Sequence, residues 1–277
     1  MKKLIVALST IFFTILIMVS IYTLIPKNNS ISAESEVQTG YIIADFGGKV
    51  AVFEEVFSTN DTIKDSEFDV VVAKSQTGGR GTNNRSFYSP NGGIYLSLKF
   101  KPTLPLSDLS FITPFTAVAL SKAIEKVTGL KPKIKWVNDI YLSGKKVAGI
   151  LTETKILSDS IGYVIVGVGI NCDRQNFPKF NLNTPTSIEE ELGYKIDKNR
   201  LIAEFLNEFD GVESSILKRD FIPYYKDNFY LLDRAVKVVS GGKEYLGVVA
   251  GASDNLAILV KVENKILSFI SADVTVL

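Results

Sequence analysis

Between two apolar, strand-like runs, Asp69–Ala73 and Ile94–Phe100, the chain passes through Gln76 to Gly93, a segment with five glycines, three asparagines and one proline. Glycine and proline at that density do not propagate a helix, and the segment lacks the alternation of a strand. The chain must therefore fold around a long loop carried on strands. Its flanks agree. Leu109 to Val127 places Ile112, Phe115, Ala119, Leu120, Ala123, Ile124 and Val127 at helical spacing, which predicts a core-facing helix stopped by Gly129. Ile134–Trp136, Lys146–Thr154 and Gly162–Ile170 read as strands. Tyr41–Phe46 and Val50–Phe57 read as a hairpin about Gly47-Gly48, and Arg200–Leu217 as an amphipathic helix. From Ala235 the texture changes: AVKVVS, YLGVVAG, LAILVKV and ILSFIS alternate with Gly-Gly and Asp-Asn turns, the pattern of a small all-β barrel or sandwich. The sum is an α+β domain with a small β module behind it.

A chain of 277 residues can bury a sizeable core, and its composition narrows the chemistry. It has no histidine, so no Ser-His-Asp or Cys-His nucleophile and no imidazole base or metal ligand is possible. The single cysteine, Cys172, excludes intrachain disulfides, Cys-rich zinc sites and iron–sulfur clusters. With no imidazole to activate it, Cys172 reads as a small buried apolar residue. A net charge of +1 gives no bulk electrostatic reason to expect nucleic acid. Catalysis must run on Lys, Arg, carboxylates, hydroxyls, amides and the backbone.

The amino terminus reads as a separate unit, residues 1–39. Residues 4–25 are free of charge and long enough to span a bilayer as a helix, with Lys2 and Lys3 before them. An uncleaved anchor is expected, a secretory signal cleaved near Ser30–Ala33 being the rival. Pro26 to Gln38 reads as a tether. The lysine bias at the flanks points the bulk of the chain outward.

Four segments stand out. Gln76-Thr77-Gly78-Gly79-Arg80-Gly81-Thr82-Asn83-Asn84-Arg85 combines glycines, which let backbone approach a ligand, with two forked cations suited to carboxylate or phosphate. The bland reading is a flexible tip with solvated arginines. It is neither a Walker loop nor a dinucleotide fingerprint, since the Gly-Lys-Ser/Thr ending is missing and a strand follows. Lys135-Trp136-Val137-Asn138-Asp139, with Lys145-Lys146 downstream, reads as turn chemistry and solvated lysines. Gly149 inside an apolar strand, however, suggests close approach of a ligand or another backbone. Gly167-Val168-Gly169-Ile170-Asn171 reads either as a tightly packed central strand or as one flattened against a planar ligand. Ser58-Thr59-Asn60 suits a helix N-cap, or equally a small polar head group.

Taken in this order, these segments resemble the biotin–protein ligases. The family carries an early Ser-Thr-Asn and a Gly-Arg-Gly-Arg-x-Gly-Arg-x-Trp-x-Ser-Pro loop. Lys-Trp-Pro-Asn-Asp follows, with Lys-x-x-Gly-Ile-Leu downstream, then Gly-x-Gly-x-Asn. Here they stand as Ser58-Thr59-Asn60, Gly79 to Pro90, Lys135 to Asp139 with Lys146 to Leu151, and Gly167 to Asn171. The resemblance covers about 40 to 277. It implies a mixed sheet like that of class II aminoacyl-tRNA synthetases, a catalytic domain at 40–230 and an SH3-like β-barrel at 231–277. It further implies that biotin and ATP give biotinyl-AMP, and that a lysine of an apo biotin carboxyl carrier protein then takes the biotinyl group. Lys146 matches the family's catalytic lysine, with Arg80 assisting. Ser58, Thr59, Asn60, Gln76, Arg80, Gly81, Thr82, Lys146 and Gly149 match biotin-binding positions. Arg80, Arg85, Lys135, Asn138, Asp139 and Asn171 match the ATP site, with Mg²⁺ arriving on ATP. Trp136 would wall the apolar part of biotin. The segment before residue 40 is too short for the winged helix of some members, so no DNA-binding role is expected, and a homodimer is possible. ATP and apo-carrier are cytoplasmic, which argues against the flank bias and for a membrane-anchored catalytic domain facing the cytoplasm.

The chain departs from the pattern at four places: Thr82 for the second loop Arg, Asn84 for a Gly, Phe87 for the Trp and Val137 for the Pro. Asn84 is expected to tolerate a left-handed backbone. Thr82 removes one lid cation and so predicts weaker retention of biotinyl-AMP. Two other readings stand beside the first: a lipoate or octanoate ligase relative, and a non-catalytic, membrane-tethered biotin-binding paralogue.

Overall fold

The computed structural model describes residues 48–158, 160–178 and 184–277, which fall in one compact unit. The first half holds β1 (Val50–Val56), α1 (Thr59–Lys64), β2 (Val70–Gln76), β3 (Ile94–Phe100), α2 (Ile112–Thr128), β4 (Lys133–Lys135), β5 (Asp139–Leu142), β6 (Lys145–Leu157) and β7 (Ser160–Ile170). These strands form one seven-stranded sheet in the order β1-β2-β3-β7-β6-β5-β4. β1 and β2 run parallel across the α1 crossover, and every other neighbour is antiparallel. Four helices follow: α3 (Ile188–Leu192), α4 (Lys198–Phe209), α5 (Val212–Lys218) and α6 (Ile222–Asp227). The chain then builds a five-stranded antiparallel sheet from β8 (Ala235–Ser240), β9 (Lys243–Ala252), β10 (Ile258–Val262), β11 (Lys265–Phe269) and β12 (Asp273–Val276), in the order β11-β10-β9-β8-β12. The fold is α+β, as the sequence suggests.

Side chains alternate across a strand, and here the alternation sorts two faces. Val70, Val72, Ile94, Leu96, Leu98, Val164, Val166 and Val168 enter one large core with α2 and α4. α2 turns Ile112, Phe115, Ala119, Leu120, Ala123 and Ile124 into it. Gly129 ends α2 at φ 74°, left-handed backbone that costs glycine little, and its N–H bonds the Glu125 carbonyl at 2.8 Å. Leu120 is fully buried, and Leu→Ala at such a site costs roughly 2–5 kcal/mol. The opposite face carries only a small cluster, Val71 and Ile165 under Ile63 of α1. A six-residue helix cannot cover that face, and the rest of it is left for a cavity.

Two sequence expectations change, and a third, the hairpin, rests on a run that lies outside the described residues. Val50–Val56 pairs in parallel with β2, and the proposed hairpin partner, 41–46, lies outside the described residues. The Arg200–Leu217 helix is two: Asp210 leaves the helical region (φ −57°, ψ 143°) and Gly211 sits at φ 75°. Apolar periodicity continues on both sides of that break and hides it. Asn138-Asp139 is half turn and half strand, because Asp139 opens β5 against Lys135 of β4. The membrane-anchored placement is also corrected: among the described residues no helix is long and apolar enough to cross a membrane. The run 4–25 that suggested an anchor lies outside the described residues.

Candidate active site

On the α1 face lies a cavity of about 660 Å³ whose lining includes almost every residue singled out from the sequence. Its floor is a glycine patch. Gly149 of β6 pairs with Gly169 of β7, and Leu151 with Gly167. A Cβ on Gly169 would come within 2.5 Å of the Phe87 ring, and one on Gly167 within 2.2 Å of Asn60 Oδ1. A Cβ on Gly149 would meet Lys146 Nζ and the Phe87 ring, each at 3.2 Å. The floor is thus flat because side chains from elsewhere lie directly on it. Gly167 and Gly169 are two residues apart on one strand, roughly 7 Å. That separation puts Asn60 at one end of the floor and Lys146, with the Phe87 ring beside it, at the other.

The Asn60 end is lined by hydroxyls and amides. Ser58, Thr59 and Asn60, at the start of α1, are all buried. Ser58 occupies the N-cap position without a side-chain capping bond, so capping is not what its hydroxyl does. The Thr59 backbone N–H and hydroxyl donate to Gln76 Oε1 at 2.8 and 3.2 Å. Gln76 Nε2 donates to Ser89 Oγ at 2.9 Å, and that hydroxyl donates to the Phe87 carbonyl at 2.8 Å. Ser97, fully buried on β3, contacts Thr59 Oγ1 at 2.8 Å and Asn60 Oδ1 at 2.6 Å. The sequence reading missed Ser97. A serine flanked by Leu96 and Leu98 in an otherwise largely apolar strand was the available signal.

The Lys146 end is charged. Lys146 Nζ lies 2.6 Å from Asp139 Oδ1 and 5.9 Å from the centroid of the Phe87 ring. Lys135 is buried beside them, and desolvation pulls its ammonium below the usual lysine range. Lys146 and Arg85 push the same way, while Asp139 opposes them. Asn138 and Asn171 serve the scaffold first. Asn138 Nδ2 donates to the Ile150 carbonyl at 2.9 Å, and Asn171 Nδ2 to the Thr186 carbonyl at 3.0 Å. Trp136 lines the cavity and spends its indole N–H on the Leu256 carbonyl at 2.8 Å, tying the site to the second sheet. Cys172 is buried, and desolvation pushes its thiol up to about 12, which removes it as a nucleophile.

Arg80 and Arg85, expected together at the anions, diverge. Arg80 reaches the Asn60 end, where Nη2 lies 2.8 Å from Asp61 Oδ1 and 3.1 Å from Glu153 Oε2. Arg85 crosses to β12, 2.6 Å from Asp273 Oδ1, and Asn83 Nδ2 donates to the same oxygen at 2.8 Å. Gly81 precedes the short 3₁₀ turn Thr82–Asn84, with Thr82 exposed at the rim. The left-handed residue of this turn is Asn83, at φ 56°, rather than Asn84. Residues 270–274 complete the wall, another contribution the sequence reading missed. Among the described residues no group of three or more acidic or sulfur ligands could hold a metal, and Asp139 is engaged by Lys146. A protein-only cation cage does not fit this site.

Comparison with known proteins agrees with this geometry. Residues 57–171 match the model of the Biotin/lipoate A/B protein ligase family. The chain is 31% identical over 265 residues to the bifunctional ligase/repressor BirA of Bacillus subtilis, covering 91% of this chain and 81% of that one. It is 27% identical to BirA of Escherichia coli, covering 83% of this chain and 74% of the other. Among solved structures, biotin protein ligase from Aquifex aeolicus in complex with biotin and ATP superposes with a TM-score of 0.70 at 25% identity, over 82% of this chain and 98% of that one. With its glycine floor, its paired Lys146 and its long loop in the family's order, this chain belongs to the biotin–protein ligases.

Proposed function

We propose that the chain joins biotin to ATP, giving biotinyl-5'-AMP and pyrophosphate, and then passes the biotinyl group to a lysine of an apo biotin carboxyl carrier protein. One observation carries the reading: a cluster of hydroxyls and amides and the Lys146 ammonium stand at the two ends of a flat, roughly 7 Å floor. A urea ring suits the first, an acid tail the second, and an apolar chain the surface between them.

In the first step a carboxylate oxygen bonds to the α-phosphorus as the bridging oxygen of pyrophosphate leaves. Two anions must meet, so cations have to offset their repulsion. An ammonium has three donors. Lys146 gives one to Asp139, leaving two for the carboxylate and the α-phosphate. Lys135 adds positive charge nearby, and Arg85 reaches the phosphates by leaving Asp273. Arg80 remains near the head group until an anion competes with Asp61 and Glu153. In the second step the carrier amine attacks the acyl carbon, AMP leaves, and the amine gives up a proton. Mg²⁺ would be held by the nucleotide's own phosphates, where it would offset part of their negative charge. Residues 40–230 carry the chemistry in this reading, and 231–277 supply a wall of the nucleotide end.

The lipoate or octanoate reading is disfavoured by the head-group end, since an acyl chain offers nothing for Thr59, Asn60, Gln76 and Ser97 to bond. The test is incubation of the full chain with biotin, MgATP and an apo-carrier domain. Pyrophosphate release with biotin on the carrier lysine supports the proposal. Biotin binding without pyrophosphate release replaces it with a non-catalytic binder, and competition of labelled biotin by lipoate replaces it with an acyl ligase.

A further inference from the structure

Glu153 places a carboxylate in a cavity that, in the proposed reaction, must accept two anions. It lies on β6 two residues past Leu151, on the same face as Gly149. Its Oε2 accepts from Asn60 Nδ2 at 2.7 Å and from Arg80 Nη2 at 3.1 Å, and its Oε1 lies 3.6 Å from Lys64 Nζ. The carboxylate therefore sits at the Asn60 end of the floor, away from Lys146, and its shortest hydrogen bond is to the residue lying over Gly167.

An asparagine amide can be turned over, exchanging oxygen and nitrogen, with almost no change in shape. Glu153 removes that freedom. An ionised carboxylate only accepts, so a flipped Asn60 would set two acceptors 2.7 Å apart with no proton between them. Nδ2 must face Glu153, and Oδ1 must face Ser97. The protons beyond it are all committed. The Ser97 hydroxyl serves Asn60 Oδ1, the Thr59 hydroxyl serves Ser97 Oγ or Gln76 Oε1, and the Thr59 backbone N–H donates to Gln76 Oε1. These groups keep lone pairs but no spare proton, so toward a bound molecule they accept.

We infer that Glu153 is a specificity-positioning residue: by fixing the Asn60 amide it makes the head-group end rich in acceptors, so that the cavity selects a head group bearing N–H donors. The inference rests on the proposed reading of the cavity, in which that group is the ureido ring of biotin. A site built to bond a donor rejects an isostere that lacks it, because its own acceptors are left unpaired.

Calorimetric titration of the full chain with two ligands tests this. One is biotin; the other is its cyclic-carbonate analogue, which keeps the ring shape and exchanges both N–H groups for oxygen. The unaltered chain should prefer biotin by about 100-fold, as roughly two lost hydrogen bonds imply. Glu153→Gln is isosteric and can donate to a flipped Asn60, so the preference should fall by about 10-fold while the melting transition stays cooperative. Asp61→Asn removes the other carboxylate on Arg80 and should leave the preference unchanged. An unchanged ratio in Glu153→Gln, or an equal fall in Asp61→Asn, overturns the inference and leaves the proposed function standing. Failure of the unaltered chain to bind biotin overturns both. If Glu153→Gln does not fold, a swapped pair decides. Asn60→Asp alone should lose biotin affinity, and Asn60→Asp with Glu153→Gln should regain about 10-fold of it. No recovery counts against the role of Glu153.

Discussion

Lys146 stands in the cavity with one donor on Asp139 and two to spare. Its removal should slow adenylation by about 10²–10³-fold, the usual cost of losing one preorganised group that meets developing charge. Single-turnover formation of biotinyl-AMP by Lys146→Ala measures this, and a near-normal rate would take Lys146 out of the mechanism. Thr82 stands exposed at the rim, where a guanidinium would reach the closed intermediate but little else. Thr82→Arg should therefore slow release of biotinyl-AMP by roughly 10-fold, the lower end of a charge-assisted contact, with little effect on melting. Lys135 gives a pH signature. Burial lowers its folded-state pKa below that of the unfolded chain, so between that lowered value and about 10.5 the unfolded chain binds more protons. Stability contributed by this site rises with pH across that window and is lowest below it. Lys135→Met should flatten the rise, as denaturant unfolding at pH 8 and pH 10 would show.

The glycine floor tests the element scale. Gly169→Ala leaves ordinary strand backbone but drives a methyl into the Phe87 ring, 2.5 Å from its nearest carbon. The sheet should survive and Phe87 should be displaced. Biotin affinity should fall at least 10-fold for a modest loss of melting temperature, and a variant that binds normally would remove Phe87 from the floor. Glycines 149, 167 and 169 announced a close approach in the sequence, but not what approaches. Phe87 comes from a loop and Asn60 from a distant helix, and strand periodicity carries no information about either. The same gap explains β5. Asp139 opens a strand only because Lys135 of β4 lies opposite, a pairing that local turn chemistry cannot see. Gly211 was a visible sign of the α4–α5 break, outweighed by unbroken apolar spacing on both sides.

At the scale of the whole described chain, two sheets meet at one cavity. Local pattern showed that a β module follows the α+β domain, since alternation and Gly-Gly turns are short-range features. It could not show that residues 270–274 wall the cavity, or that Asp273 receives Arg85 from 188 residues away in the chain. Such contacts are set by how the sheets pack. The site residues were legible as a set because loop, turn and strand ends each carry a short motif. Their partners Asp61, Ser97, Glu153 and Asp273 carry none.

Trp136 turns that junction into an optical reporter. It is the chain's only tryptophan, it lines the cavity, and its indole is anchored to Leu256. Emission excited at the red edge therefore comes from one place, with no dye attached. Filling the cavity should shift or quench it along a saturable curve, and a silent spectrum on adding biotin and nucleotide would mean that neither ligand comes to rest beside the indole.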